Sequence, residues 1–263
     1  MVDFENKPRY DVGDLRKLMA LLRGPGGCPW DSEQTHESIR RNLLEEAYEA
    51  AEAIDTGDTE LLIEELGDVL MQVVFHADIA EGAGRFDLDD IADATCKKLI
   101  RRHPHVFGDL RAKDGKESLS FWDDIKREEK QLDSASEAMS SVASSLPALW
   151  RAEKIQLKAA KVGFDWPEYS GALDALKAEL VELEDAILLG GDVEDELGDL
   201  FFSAVNVARF FDIDPEQALG RSCLKFISRF SRLEATVMDS GRRLEDMSLQ
   251  ELEDIYQKVK LEK

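Results

Sequence analysis

The stretch Leu62-Ile63-Glu64-Glu65-Leu66-Gly67-Asp68-Val69-Leu70-Met71-Gln72-Val73-Val74-Phe75-His76-Ala77 decides the fold class. Its apolar residues Leu62, Leu66, Val69, Leu70, Val73, Val74 and Ala77 recur at spacings of three and four, the period of a helix that buries one face. Leu197, Leu200, Phe201, Ala204, Val205 and Ala208 repeat the scheme later in the chain. Alternating or β-branched runs bounded by turns, the signal for strands, are missing, so the sequence predicts an all-α protein.

The string Glu-Leu-Gly-Asp occurs at 65–68 and again at 196–199, each time closing a run of acids. Glu45, Glu46 and Glu49 precede the first string, and Glu179 and Glu182 precede the second. On a helix Glu46 shares a face with Glu49, and Glu65 with Asp68, so each pair turns two carboxylates the same way. Oxygen donors of this kind suit a hard divalent cation such as Mg²⁺, which keeps several waters and is completed by substrate phosphates.

With 56 acids in 263 residues, five acids at loosely specified gaps are expected on the order of once by chance. Repetition gives the pattern its weight. With Asp68 set on Asp199 the two core helices run without a gap, and with Asp87 on Asp214, Cys96 meets Cys223, Lys98 meets Lys225 and Arg102 meets Arg229. Phe121-Trp122 through Lys126 parallels Ile255-Tyr256 through Lys260, and Cys28-Pro29-Trp30-Asp31 has a loose counterpart in Gly163-Phe164-Asp165-Trp166. Duplication of one helical unit accounts for all of these. The expected organisation is two tandem helical-bundle domains, residues 9–133 and 146–263, joined by a Ser- and Ala-rich linker over 134–145 in which Ala and Glu still permit helix.

Each feature has a plainer account. The acids could be solvated helix faces, although clustered carboxylates repel one another unless a cation or basic partner neutralises them. Gly67 and Gly198 each cost about 1 kcal/mol relative to Ala in mid-helix, and close packing of another helix explains them as well as ligand access does. Lys98 with Arg102, and Lys225 with Arg229, share helical faces and fit phosphate oxygens; pairing with the surplus acids is the alternative. Trp122 and Tyr256 fit stacking on a base or ordinary packing. His103 and His105 read as structural, since Phe230 replaces His103 in the second copy. Glu33-x-x-His36 is unrepeated, which argues against a di-iron bundle.

A net charge of -23 and a pI near 4.6 argue against binding a nucleic-acid polymer, while a hydrophobic share of 43% fits a folded protein. Cys28, Cys96 and Cys223 are odd in number and far apart, which fits a reduced compartment. The N-terminus has no apolar leader, and no run approaches the roughly 18 apolar residues of a membrane span, so a cytoplasmic protein with no membrane contact is expected.

Taken together, the acids from Glu45 to Asp68, Cys-Pro-Trp-Asp at Cys28, Arg-Arg-His-Pro-His-Val-Phe at Arg101 and Val-Gly-Phe-Asp-Trp at Val162 resemble the two-copy MazG nucleoside triphosphate pyrophosphohydrolases over nearly the whole chain. The resemblance implies helical-bundle units and a homodimer whose subunits build the sites together. It further implies Mg²⁺-dependent hydrolysis of nucleoside triphosphates to monophosphate and pyrophosphate, with Mn²⁺ as a substitute ion, in control or cleaning of the nucleotide pool. The implied metal ligands are Glu179, Glu182, Glu196 and Asp199 in the C-terminal copy and Glu46, Glu49, Glu65 and Asp68 in the N-terminal copy. Lys225, Arg229 and Tyr256 would meet the nucleotide, with Lys98, Arg102 and Trp122 as counterparts, and Glu179 or Glu46 would orient or deprotonate the attacking water. Ala178 stands where the first copy has Glu45. The family expectation favours catalysis in the C-terminal copy, and motif completeness favours the N-terminal one. The alternatives are an acidic all-α interaction module without catalysis and a narrower all-α nucleotide pyrophosphohydrolase.

Overall fold

A computed structural model describes residues 3–115, 117–118, 121–122, 125, 129 and 134–261, which include no strand. The chain divides into two compact units, residues 1–126 and 127–263. The first contains α1 (Val12–Arg23), α2 (Pro29–Glu33), α3 (Arg40–Thr56), α4 (Thr59–Gly82), α5 (Leu88–Arg102) and α6 (Pro104–Phe107). The all-α expectation therefore holds.

Helix α4 is the spine of this unit: α3 runs back along it, and α1 and α5 pack on it. The reversal between α3 and α4 is set locally. Gly57 ends α3 with φ +70°, a left-handed conformation that suits glycine, and the Asp58 side chain accepts hydrogen bonds from the Glu60 and Leu61 amides. Met19, Ile39, Val74 and Phe75 form the buried cluster, with Leu15, Met71, Ile79 and Leu88 packed around it. Asp11 with Asp14, and Asp87 with Asp90, make reciprocal capping boxes at the starts of α1 and α5.

The second unit contains α7 (Ala135–Ser140), α8 (Ala148–Ala160), α9 (Tyr169–Leu189), α10 (Val193–Phe210), α11 (Pro215–Asp239), a 3-10 turn at Leu244–Asp246 and α12 (Leu249–Leu261). Here α10 is the spine, paired with α9 and covered by α8, while α11 holds α12. Gly190, with φ +82°, ends α9, and Asp192 caps α10 through the Glu194 and Asp195 amides. One difference between the hairpins matters for the site: Asp58 precedes Glu65 by seven positions, whereas Asp192 precedes Glu196 by four. Glu196 thus lies in the first turn of its helix.

The segment 134–145 carries α7, whose start is boxed by Ser134 and Glu137 and which packs against α8. Val142, just beyond it, is buried. Residues 130–133 and Lys126 lie outside the described residues.

Candidate metal centres

Two sets of carboxylates converge, one on each hairpin. Ligand atoms of Glu46 and Glu49 from α3 and Glu65 from α4 all lie within 4.8 Å of one another. Those of Glu179 from α9 and Glu196 and Asp199 from α10 do the same. Asp68 and Glu182 are not members of these triads, but both act on them. Burial raises the Glu46 carboxyl above its ordinary value, and among charges Asp68 comes first, followed by Glu49. Glu65 is raised by burial and then by Glu49, Glu64, Asp68 and Glu46. Glu196 is raised by burial and then by Glu182, Asp199, Asp195 and Glu179. The leading charges on all three are carboxylates, so the acids repel one another with no basic side chain of the described residues among those charges.

The next polar position along each spine helix also belongs to this face. Ser203, four residues past Asp199, donates to Glu179 Oε1 at 3.5 Å, the long limit for such a bond. Gln72, four past Asp68, is buried, and its Oε1 finds no partner among the described residues. Neither residue stood out in the sequence, although both follow from extending the three-and-four spacing by one turn.

The basic residues differ between the copies. Lys98, Lys225 and Arg229 make no ion pair among the described residues, despite the acid surplus. Arg102 is buried, with its guanidinium 4.8 Å from the centre of the Trp122 ring. Tyr256 rests against Phe226, centroids 5.9 Å apart, and Phe226 against Phe230 at 6.0 Å. No basic side chain is among the leading charges on Glu46, Glu65 or Glu196, so within a unit the structure does not bring these cations into the triads. His103 Nδ1 donates to the Leu99 carbonyl at 2.6 Å, and the His105 ring packs near Phe121, both structural roles.

In each unit an arginine–aspartate pair anchors the tryptophan-bearing segment, with opposite polarity in the two copies. In the first unit Arg23 Nε meets Asp78 of α4 at 2.7 Å and the guanidinium also bonds the Asp31 carbonyl. In the second, Arg209 of α10 grips Asp165 through both oxygens, one contact at 2.9 Å, and holds its carboxyl below the usual range. Asp78 and Arg209 each lie ten residues past the closing Asp of their string, so the same position carries opposite charges.

Gly67 and Gly198 are exposed, and a Cβ added to either would meet nothing within 4 Å. Close packing inside this chain is therefore not what keeps them glycine. Among the described residues no helix is long and apolar enough to cross a membrane.

Residues 34–107, which contain the first triad, match the MazG nucleotide pyrophosphohydrolase domain. The chain is 43% identical over 247 residues, 94% of each protein, to the nucleoside triphosphate pyrophosphohydrolase/pyrophosphatase MazG of Thermotoga maritima. It is 41% identical over 254 residues, 95% of this chain and 97% of the other, to a nucleoside triphosphate pyrophosphohydrolase of Escherichia coli. The uncharacterized protein YabN of Bacillus subtilis is 44% identical over 254 residues, but that match takes up 52% of its length. Matches at this level over more than nine-tenths of each protein span both units, and the chain belongs to the MazG family.

Proposed function

We propose that the protein hydrolyses nucleoside triphosphates to nucleoside monophosphate and pyrophosphate, using Mg²⁺ held by the carboxylate triads, with Mn²⁺ able to substitute. The observation that carries this reading is the convergence, twice over, of three carboxylates from two helices with no cation of the chain's own among their leading charges. All-oxygen donors at this spacing fit a hard divalent ion, which would relieve the repulsion that adds to burial in raising Glu65 and Glu196. When bound, such an ion would supply positive charge to the phosphates and make an attacking water more acidic.

The C-terminal copy is the better candidate for turnover. Glu179, Glu196 and Asp199 would hold the ion, Glu182 would add charge beside them, and Glu179, steadied by Ser203, would orient or deprotonate the water. Lys225 and Arg229, without an ion pair among the described residues, neutralise the departing pyrophosphate, and Tyr256 packs on the base. In the N-terminal copy Glu46, Glu49 and Glu65 would hold an ion with Asp68 adding charge beside them, and Glu46 would be the water's partner. Its cations are less available: Lys98 makes no ion pair among the described residues, but Arg102 lies under Trp122.

A homodimer completes these sites. Around Gly67, α4 leaves Ile63, Leu66 and Leu70 uncovered, and around Gly198, α10 leaves Leu197 and Phe201 uncovered. Such faces favour a second copy of the chain. The net charge of -23 disfavours nucleic-acid polymers, and the setting we infer is the cytoplasm, where the enzyme would clean or control the nucleotide pool. A panel of the common ribo- and deoxynucleoside triphosphates with Mg²⁺, scored for pyrophosphate, tests this. Release from several of them supports the reading, release from one narrows it, and no turnover with no Mg²⁺-linked rise in melting temperature leaves an acidic interaction module.

A further inference from the structure

The α3–α4 hairpin is held at its turn by Gly57 and Asp58, and two histidines close its other end. His36, in the turn before α3, and His76, eight residues past Asp68 on α4, bring their Nδ1 atoms to 2.7 Å. The rings lie 8° from parallel with centroids 5.0 Å apart. A nitrogen-to-nitrogen contact this short holds a single proton between donor and acceptor, because two protonated nitrogens, or two bare ones, repel.

Burial decides which ring donates. His76 Nε2 is buried with no partner among the described residues. A proton there would be an orphaned donor, which is rarer and costlier than a bare acceptor, so His76 Nδ1–H donates and His36 Nδ1 accepts. Protonating His36 Nδ1 then removes the acceptor. Keeping the contact would require His76 to shift its own proton onto the buried Nε2. Burial, and after it the charge of His36, hold the His76 pKa below the ordinary 6.5.

The charged groups on the neighbouring elements are paired with one another. Arg23 on α1 is paired with Asp78 on α4, and Arg16 on α1 with Asp87 at the start of α5. Glu37 sits beside His36, held low by hydrogen bonds and more weakly by His36 and Arg85. His36 is the ring whose protonation breaks the contact. The second unit has no counterpart: all four histidines of the chain lie between residues 36 and 105. The corresponding end of its α9–α10 hairpin is closed by Tyr169 and Phe211, with centroids 5.3 Å apart.

We propose that His36 and His76 form an acid-sensitive clasp that holds the start of α3 against α4, so that mild acid loosens the N-terminal carboxylate hairpin and spares the C-terminal one. The clasp does not depend on the enzymatic reading, and its test does not use activity. Backbone hydrogen exchange of the full chain, read by mass spectrometry between about pH 7.5 and 5.5 and corrected for intrinsic rates, measures it. Exchange over 34–39 and 72–80 should accelerate below the ordinary histidine pKa, by up to about tenfold per pH unit, while 169–175 and 205–211 stay constant. His76→Phe should remove this pH dependence. An equal response in both hairpins, or a response that survives His76→Phe, overturns the proposal. Should that variant fail to fold, imidazole nitrogen NMR on the unaltered chain decides. A bare His76 Nε2 and a Nδ1 proton shared with His36 support the clasp, and two rings titrating independently refute it.

Discussion

The α3–α4 and α9–α10 hairpins share a left-handed glycine, an aspartate cap and a triad of acids, yet they assemble the triad from different positions. The first takes two acids from its leading helix and one from its spine; the second takes one and two. The offset follows from where the spine helix begins. Glu65 lies seven residues past its cap and Glu196 only four, so the second triad sits at a helix N-terminus, where the helix dipole helps offset clustered negative charge. Ala178 in place of a leading Glu is therefore a small loss to that copy: Glu45, its counterpart, is bonded to Arg41 and stands outside the first triad. The two hairpins thus bring together acids from different positions.

The largest test of that difference is to delete one acid from each. Glu196→Ala or Asp199→Ala should cut pyrophosphate release by about a thousandfold or more, as expected when the principal charge stabilisation is lost, while Glu65→Ala leaves most of it. The reverse outcome moves turnover to the N-terminal hairpin. Metal binding comes next. Saturating Mg²⁺ at about a hundred times its dissociation constant should stabilise the chain by about 2.7 kcal/mol, read as a rise in melting temperature. Glu46, Glu65 and Glu196 have raised folded-state pKa values, so the metal-free fold is relatively favoured below the ordinary 4.5 and loses that advantage as pH rises through the raised values. The Mg²⁺ increment should therefore shrink as pH falls toward that range; an increment independent of pH would mean that the ion binds elsewhere.

A smaller contrast lies in the basic residues. Arg229→Ala should lower kcat/KM by about 10- to 100-fold, the scale of one charge-assisted contact. Arg102→Ala should leave turnover within about threefold but lower the melting temperature, because it strips the cation from the Trp122 ring, a contact worth about 0.5–2 kcal/mol. Equal kinetic losses would show that both copies use their arginine on substrate.

The loop anchors offer a test of stability alone. Asp165→Ala leaves Arg209, which is only slightly exposed, without its carboxylate and should cost about 1–2 kcal/mol, less than a fully buried pair because Asp165 keeps contact with water. Exchanging the two charges, Asp165→Arg with Arg209→Asp, gives the loop the polarity that Arg23 and Asp78 use in the first unit. Recovery in the double variant would confirm that the position tolerates either polarity; further loss would tie it to the Asp165 geometry.

How much of this could be read beforehand depends on the range of the interaction. The helices, their glycine stops and their aspartate caps are local, and the spacing from Leu62 to Ala77 predicts α4 without knowledge of its partners. Convergence of Glu46, Glu49 and Glu65 follows from helical faces plus one short turn. Which three acids meet depends on the helix start, which shifts by a few residues between the copies and leaves little trace in composition. The inverted Arg–Asp anchors escaped because aligning like with like hides a charge exchange between positions 78 and 209. His76 escaped because its partner lies forty residues away, in a turn rather than at helical spacing.

The smallest expected effect concerns Gly67 and Gly198. Each lies in a helix, and a methyl group there would meet only open space, so Gly198→Ala should stabilise an isolated chain by about 1 kcal/mol through helix propensity. If a second copy covers this face, the same methyl stands between two close backbones. Sedimentation equilibrium should then show a weaker dimer even as the dilute protein melts higher. Gly67→Ala makes the same test on the first hairpin, where Ile63, Leu66 and Leu70 surround the glycine. A variant that gains stability and keeps its self-association unchanged would place the dimer contact elsewhere and leave ligand access as the reason for the glycine.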